Sequence, residues 1–174
     1  METVGSSVVD MLREDHQKVK KLFEEFEEAR DARTKRRIVE TALMELEIHA
    51  KLEEGLIYPA IREEIDDEEL MDEALEEHHV VHLLIRELKK MSPSRERFDA
   101  KFKVLAESVK HHIEEEESQV LPKAKSSDID FEALEQEVMK RKARLMGQSS
   151  GGSRTGRASS GKDKRSRSRS TAKN

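Results

Sequence analysis

The chain has no cysteine and only three prolines, and aromatic residues make up 3% of it. Without thiols there are no disulfides and no thiolate metal sites, so any bound metal must be held by histidine nitrogen and carboxylate oxygen, which points away from soft-metal chemistry. No apolar run approaches the roughly 20 residues that span a bilayer. The opening METVGSSVVDMLRED has neither a basic n-region nor an apolar h-region. The expectation is a soluble, cytoplasmic protein without a membrane partner. The scarcity of aromatics and prolines beside 41% charged residues is a helical profile rather than a sheet profile. At 174 residues there is room for one domain with a genuine core.

Charge is strongly segregated. Residues 147–174, GQSSGGSRTGRASSGKDKRSRSRSTAKN, contain almost nothing that could be buried, and a disordered tail is expected there. Eight lysines and arginines against Asp163 give this tail +7, which leaves −12 for residues 1–146 when the whole chain carries −5. The tail reads either as a flexible solubilising extension or as a weak, salt-sensitive contact for nucleic acid or another acidic partner. It has no aromatic residue for base stacking, so any such contact would be independent of base sequence.

Residues 1–146 read as one all-α domain with an up-down-up-down four-helix bundle and a short fifth helix. The first helix begins near Ser7, with Asp10 three residues on, and carries Leu12, Val19, Phe23 and Phe26 on one stripe. The second follows Thr34 with Ala42, Leu46, Leu56 and Ala60, and Pro59 is expected to close it or to allow a short extension. The third follows Asp66, Asp67 and Glu68 and packs with Met71, Ala74, Val81, Ile85 and Leu88. The fourth is expected to open at Ser92 and Pro93, to carry Phe98, Phe102, Leu105 and Val109, and to be limited by Pro122. Phe131, Leu134, Val138 and Met139 mark the fifth.

Two polar residues interrupt the apolar stripe of the second helix, in HAKLEEGLIYP, and the same interruption recurs in HIEEEESQVLP. His112, Glu116 and Pro122 follow His49, Glu53 and Pro59 at a constant offset of 63. A looser repeat aligns DHQKVKKLF with EHHVVHLLI, which pairs His16 with His78 rather than His79. In an antiparallel bundle all four histidines fall roughly 14 Å from the same end, at 1.5 Å per residue. Four imidazoles and two carboxylates in one buried layer would be severely destabilising unpaired, and a pair of divalent cations reverses that sign.

The pattern H, HxxxE, H, HxxxE on four helices resembles the hemerythrin-like, or HHE cation-binding, family over roughly residues 7–122. The resemblance implies a non-haem centre of two iron ions inside the bundle. Carried over by motif, His16, His49, His78 and His112 would be terminal ligands, and Glu53 and Glu116 would bridge. Oxygen-carrying hemerythrins have two histidines four apart on the third helix and HxxxxD on the fourth. Here His82 stands four after His78 and is a possible additional ligand, while the fourth helix reads HxxxE. His111 lies five residues before Glu116, which leaves a register ambiguity. Tyr58 either packs at the bundle end or reaches the site with its phenol. His79 and His111 read as surface residues. Glu54, Glu114, Glu115 and Glu117 read as a solvated face, with Glu54 also placed to support a ligand. Relatives with HxxxE include iron sensors and proteins that break down hydrogen peroxide. The implied function is reaction with hydrogen peroxide, dioxygen or nitric oxide, with a reversible oxygen or iron sensor or carrier as the alternative.

Overall fold

The computed structural model describes residues 7–151, all of whose regular elements are helical. Helix α1 (Ser7–Glu28) and α2 (Ala32–Leu52) pair as one hairpin, and α4 (Glu68–Leu88) and α5 (Phe98–Glu115) as a second. The hairpins pack through α1 against α5 and α2 against α4, which closes the four-helix bundle. No helix among the described residues is long and apolar enough to cross a membrane.

Local chemistry sets most of the boundaries. Asp31 caps α2 by accepting from the Thr34 amide at 2.9 Å, and Asp67 caps α4 by accepting from the Leu70 amide at 3.2 Å. Helix α5 starts later than the Ser-Pro signal suggests. Residues 92–97 form successive turns, with the Arg95 amide donating to the Ser92 carbonyl. Arg97, at φ 68° in the left-handed region, redirects the chain into Phe98. A proline at a first helical position is only permissive, and here the turn prevails.

Neither Pro59 nor Pro122 ends its helix. A π-turn at Glu53–Ile57 joins α2 to α3 (Tyr58–Glu64), and another at Glu116–Val120 joins α5 to α6 (Leu121–Lys125). Each proline stands in the first turn of the resumed helix, where a missing amide hydrogen is tolerated. The two π-turns repeat the offset of 63 that relates Glu53 to Glu116. Their hydrogen bonds span five residues, from the Tyr58 amide to Glu53 and from the Leu121 amide to Glu116. In a regular helix the fifth residue after the glutamate would lie about 140° round the axis. The wider turn brings it inward, so that Ile57 and Tyr58, and likewise Val120 and Leu121, are all buried.

Gly55, inside the first π-turn, has a negative φ, and an added Cβ there would meet nothing within 4 Å. Gly55→Ala is therefore expected to stabilise the fold by about 0.4–1 kcal/mol through the unfolded chain, measured as a rise in the urea midpoint at unchanged slope.

The fifth long helix, α7 (Phe131–Gly151), is as long as α2 rather than short, and it packs on α1, α2 and the first π-turn. Val138 is fully buried and Phe131 and Leu134 partly so, while Met139 faces outward. The helix continues past Met146 to Gly151, and the rest of the tail, 152–174, lies outside the described residues.

The core consists of two apolar blocks. One gathers Phe23, Phe26, Val39, Ile85, Phe102 and Leu105 towards the α1–α2 turn. The other gathers Leu12, Leu52, Ile57, Met71, Leu121 and Val138 at the opposite end. Between them lies a layer of buried polar residues, His16, His49, Glu53, His78, His112 and Glu116.

Candidate metal centre

This polar layer is contributed by all four bundle helices and the two π-turns. His16 comes from α1, His49 from α2, His78 from α4 and His112 from α5. Glu53 and Glu116 open the two π-turns, one helical turn beyond His49 and His112. His16, His49, Glu53 and Glu116 offer ligand atoms that all lie within 4.8 Å of one another, and so do Glu53, His78 and His112. Glu53 belongs to both groups, whereas Glu116, which the family motif implied would bridge as well, belongs to the first alone.

The Nε2 atoms converge. His49 Nε2 lies 3.0 Å from Glu53 Oε1, His78 Nε2 lies 3.1 Å from Glu53 Oε2, and His16 Nε2 lies 3.1 Å from Glu116 Oε2. His78 and His112 bring their Nε2 atoms within 3.1 Å of each other. The Tyr58 hydroxyl donates to Glu116 Oε1 at 3.3 Å and stands 3.4 Å from His78 Nε2 and 3.3 Å from His112 Nε2. Tyr58 thus sits inside the layer, carried there by the π-turn.

The opposite ring edges face carboxylates. Nδ1 of His16 meets Glu117 at 2.8 Å, that of His78 meets Glu54 at 2.9 Å, and that of His112 meets Glu77 at 2.7 Å. Asp15 lies 3.6 Å from Nδ1 of His49. An ionised carboxylate only accepts, so it holds the proton on Nδ1 and leaves the Nε2 lone pair for a cation. These four acids follow the repeat. Asp15 and Glu77 precede His16 and His78, while Glu54 and Glu117 follow Glu53 and Glu116. The shared acid–histidine step and the paired glutamates are the sequence signal for them. Glu117 is thus not simply part of a solvated face.

Other histidines fall elsewhere. His82 is half-buried, and its Nε2 meets Glu54 at 2.8 Å, so it contacts the acid behind His78 rather than the converging atoms. His79 is exposed. His111 is exposed beside Glu77 and Glu115, which assigns the buried register to His112 with Glu116.

The donor set fits a cation. On the converging side His16 Nε2, His49 Nε2, both Glu53 oxygens and Glu116 Oε2 are buried with no hydrogen-bond partner, and so is His49 Nδ1 on the side of Asp15. Each such orphan costs about 1–3 kcal/mol, and a charged group costs more. Imidazole nitrogen with carboxylate oxygen suits borderline divalent metals such as iron, manganese or zinc.

Electrostatics in the metal-free layer are those of a compressed ion cluster. Burial opposes charge on His49, but the Glu53 carboxylate, contacts with Asp15 and Glu53, and the Glu116 charge push the imidazole up to about 10. Burial likewise opposes ionisation of Glu53, yet His49 and His78 hold it well below the usual carboxylate range. Glu116 is raised by burial and by the neighbouring Glu53 charge, and burial with both carboxylates lifts the Tyr58 phenol well above its ordinary value. A bound cation must therefore displace the His49 proton. The metal-free state binds more protons than the loaded state, so cation affinity should rise with pH from neutrality towards about 10. The expected slope is roughly tenfold per pH unit for each proton released, measured by cobalt(II) titration at several pH values with a dye reporting proton release.

Comparison with known proteins agrees with this geometry. A family model described as the hemerythrin HHE cation binding domain matches residues 7–124. A DNA nickase from Nostoc sp. is 32% identical over 155 residues, which cover 83% of this chain and 43% of that protein. An uncharacterized hemerythrin-like protein from Schizosaccharomyces pombe is 26% identical over 117 residues, covering 66% of this chain and 58% of that one. The chain thus spans about half the length of the curated relatives it matches. The crystal structure of a hemerythrin HHE cation binding domain-containing protein from Mycobacterium kansasii superposes with a TM-score of 0.71 at 24% identity, covering 84% of this chain and 91% of that one. With the family pattern matched from α1 to α6 and the four-helix architecture shared, the chain belongs to the hemerythrin HHE cation-binding domain family.

Proposed function

We propose that the layer holds two iron ions, one at His16, His49, Glu53 and Glu116 and one at Glu53, His78 and His112, and that the pair reacts in the cytoplasm with hydrogen peroxide, dioxygen or nitric oxide. The observation that carries this reading is a cavity of about 30 Å³ against the four histidines, walled on its other side by Val19, Leu46, Val81, Val109 and Ile113. That volume exceeds the roughly 10–15 Å³ that a single water needs on the same measure. It leaves room for a ligand of two heavy atoms beside the histidines, and the apolar wall of Val19, Leu46, Val81, Val109 and Ile113 suits dioxygen or nitric oxide.

Iron would supply the redox equivalents by which two molecules of hydrogen peroxide become one of dioxygen and two of water. The chain supplies the rest. Three carboxylates fix the imidazoles of His16, His78 and His112 with Nε2 inward and Asp15 faces that of His49, the two apolar blocks exclude bulk water, and the Tyr58 hydroxyl keeps a proton beside Glu116 Oε1. The test is the visible spectrum of protein loaded anaerobically with iron(II), followed on exposure to air or peroxide and again after removal of oxygen. Irreversible conversion to a diferric form with peroxide consumption supports turnover. A charge-transfer band that fades when oxygen is withdrawn would replace turnover by reversible sensing or carriage, and failure to retain iron would overturn the reading.

The +7 tail supports a second, independent reading as a sequence-independent contact for nucleic acid. The likeness to a protein named as a DNA nickase adds to it. Duplex binding that weakens steeply with salt and disappears on truncation after Met146, with metal content unchanged, is the expected result.

A further inference from the structure

We infer that Lys142, on the helix outside the bundle, makes the two metal positions inequivalent by neutralising the carboxylate behind His49. The inference rests on the proposed metal-binding reading of the layer. Lys142 Nζ donates to both oxygens of Asp15 at 2.8 Å, with both side chains largely buried. Asp15 in turn faces Nδ1 of His49. The internal repeat makes the comparison a controlled one, because Glu77 holds the corresponding place behind His112.

The two acids behave differently. Glu77 closes to 2.7 Å on its histidine, and its neighbours are the exposed His111 and the like-charged Glu115. Asp15 is one methylene shorter and is drawn to Lys142, and it stops 3.6 Å from His49, whose Nδ1 has no hydrogen-bond partner. A carboxylate on the far nitrogen raises the basicity of a metal-binding imidazole. A fixed ammonium on that carboxylate cancels part of the effect and places positive charge near the cation. Lys142 thereby lowers the cation affinity of the His16–His49 position below what an unpaired Asp15 would give, and favours the reduced form of an iron held there. Helix α7 begins at Phe131, after the family match ends at residue 124, so Lys142 lies outside the residues that the family model matches.

The experiment is cobalt(II) titration of the metal-depleted full chain, followed by visible absorption, for wild type, Lys142→Met, Lys142→Arg and Leu145→Ala. Leu145 is a buried residue of the same helix, so its truncation loosens α7 without removing the charge. The expected result is that one of two binding steps tightens about tenfold in Lys142→Met, the low end of the roughly 10–100-fold range for groups behind a ligand. Lys142→Arg should return the wild-type value, and Leu145→Ala should bind no more tightly than wild type. The sign is what separates electrostatic tuning from packing, since mere loosening can only weaken binding. Unchanged or weaker binding of both equivalents by Lys142→Met, or tightening by Leu145→Ala, would overturn the inference while leaving the metal site itself intact. Absence of cobalt binding by wild type would overturn both together.

Discussion

Replacing Glu53 by glutamine is expected to empty the position formed with His78 and His112 and to weaken the one formed with His16 and His49, whereas Glu116→Gln should leave both able to fill. The difference follows from membership. Glu53 spans both groups through its two oxygens, at 3.0 Å from His49 and 3.1 Å from His78, while Glu116 lies in the first group alone. An amide keeps the volume but offers one oxygen and turns an NH₂ towards the cation. Glutamine at 53 leaves the second position two neutral imidazoles and no charge. Glutamine at 116 still leaves the first position His16, His49 and a charged Glu53. The affinity lost at the second position in Glu53→Gln should exceed the roughly 100-fold upper figure for groups acting only behind a ligand. Elemental analysis after loading and desalting, with circular dichroism to confirm folding, reads the outcome. Equal metal loss in the two variants would contradict the assignment of Glu53 as the shared ligand.

What could be read in the sequence was what obeys helical spacing. His16, His49, His78 and His112 interrupt or flank apolar stripes of period 3.6, and the structure buries all four. The choice of His78 over His79 followed from the repeat and from phase, while the register of His111 and His112 stayed ambiguous until exposure separated them. What escaped depends on departures from that spacing. Nothing local in EEGLI or EESQV announces a π-turn, yet those turns admit Pro59 and Pro122 and swing Tyr58 into the site. The late start of α5 depends on the left-handed backbone of Arg97, which helix propensity does not encode.

The residues that act behind the ligands were visible only in part. Asp15 and Glu77 were already in the looser repeat as the acid before each histidine, but an acid in an acidic helix carries no weight until its partner across the bundle is known. His82 shows the converse, since a spacing of four from His78 matched a family pattern and the side chain reaches Glu54 instead. Lys142 had no signal at all, being one lysine on a charged helix 127 residues from Asp15. Repetition revealed the buried histidines and glutamates because two copies had to agree. The asymmetries between the copies, Tyr58 against Leu121 and Asp15 with Lys142 against Glu77, are tertiary facts.

Removal of metal should cost the fold a large part of its stability, and the size can be bounded. The layer separates two apolar blocks and holds six buried polar atoms without hydrogen-bond partners, five of them on the side where a cation would bind. A cation that binds the native state alone adds about 4.1 kcal/mol per site at a free concentration 1,000 times its dissociation constant. For a chain of this size each kcal/mol moves the melting temperature by about 2–4 °C. One filled position should thus raise the midpoint by about 8–16 °C, and the second should add to it. Chelation followed by reloading, monitored by calorimetry, gives the measurement. The increment must shrink in Glu53→Gln more than in Glu116→Gln, because the first variant loses a whole position and the second only part of one. If metal-free and loaded protein melted together, the orphaned atoms would have to be satisfied by trapped water, and the buried layer would be a structural polar network rather than a metal centre.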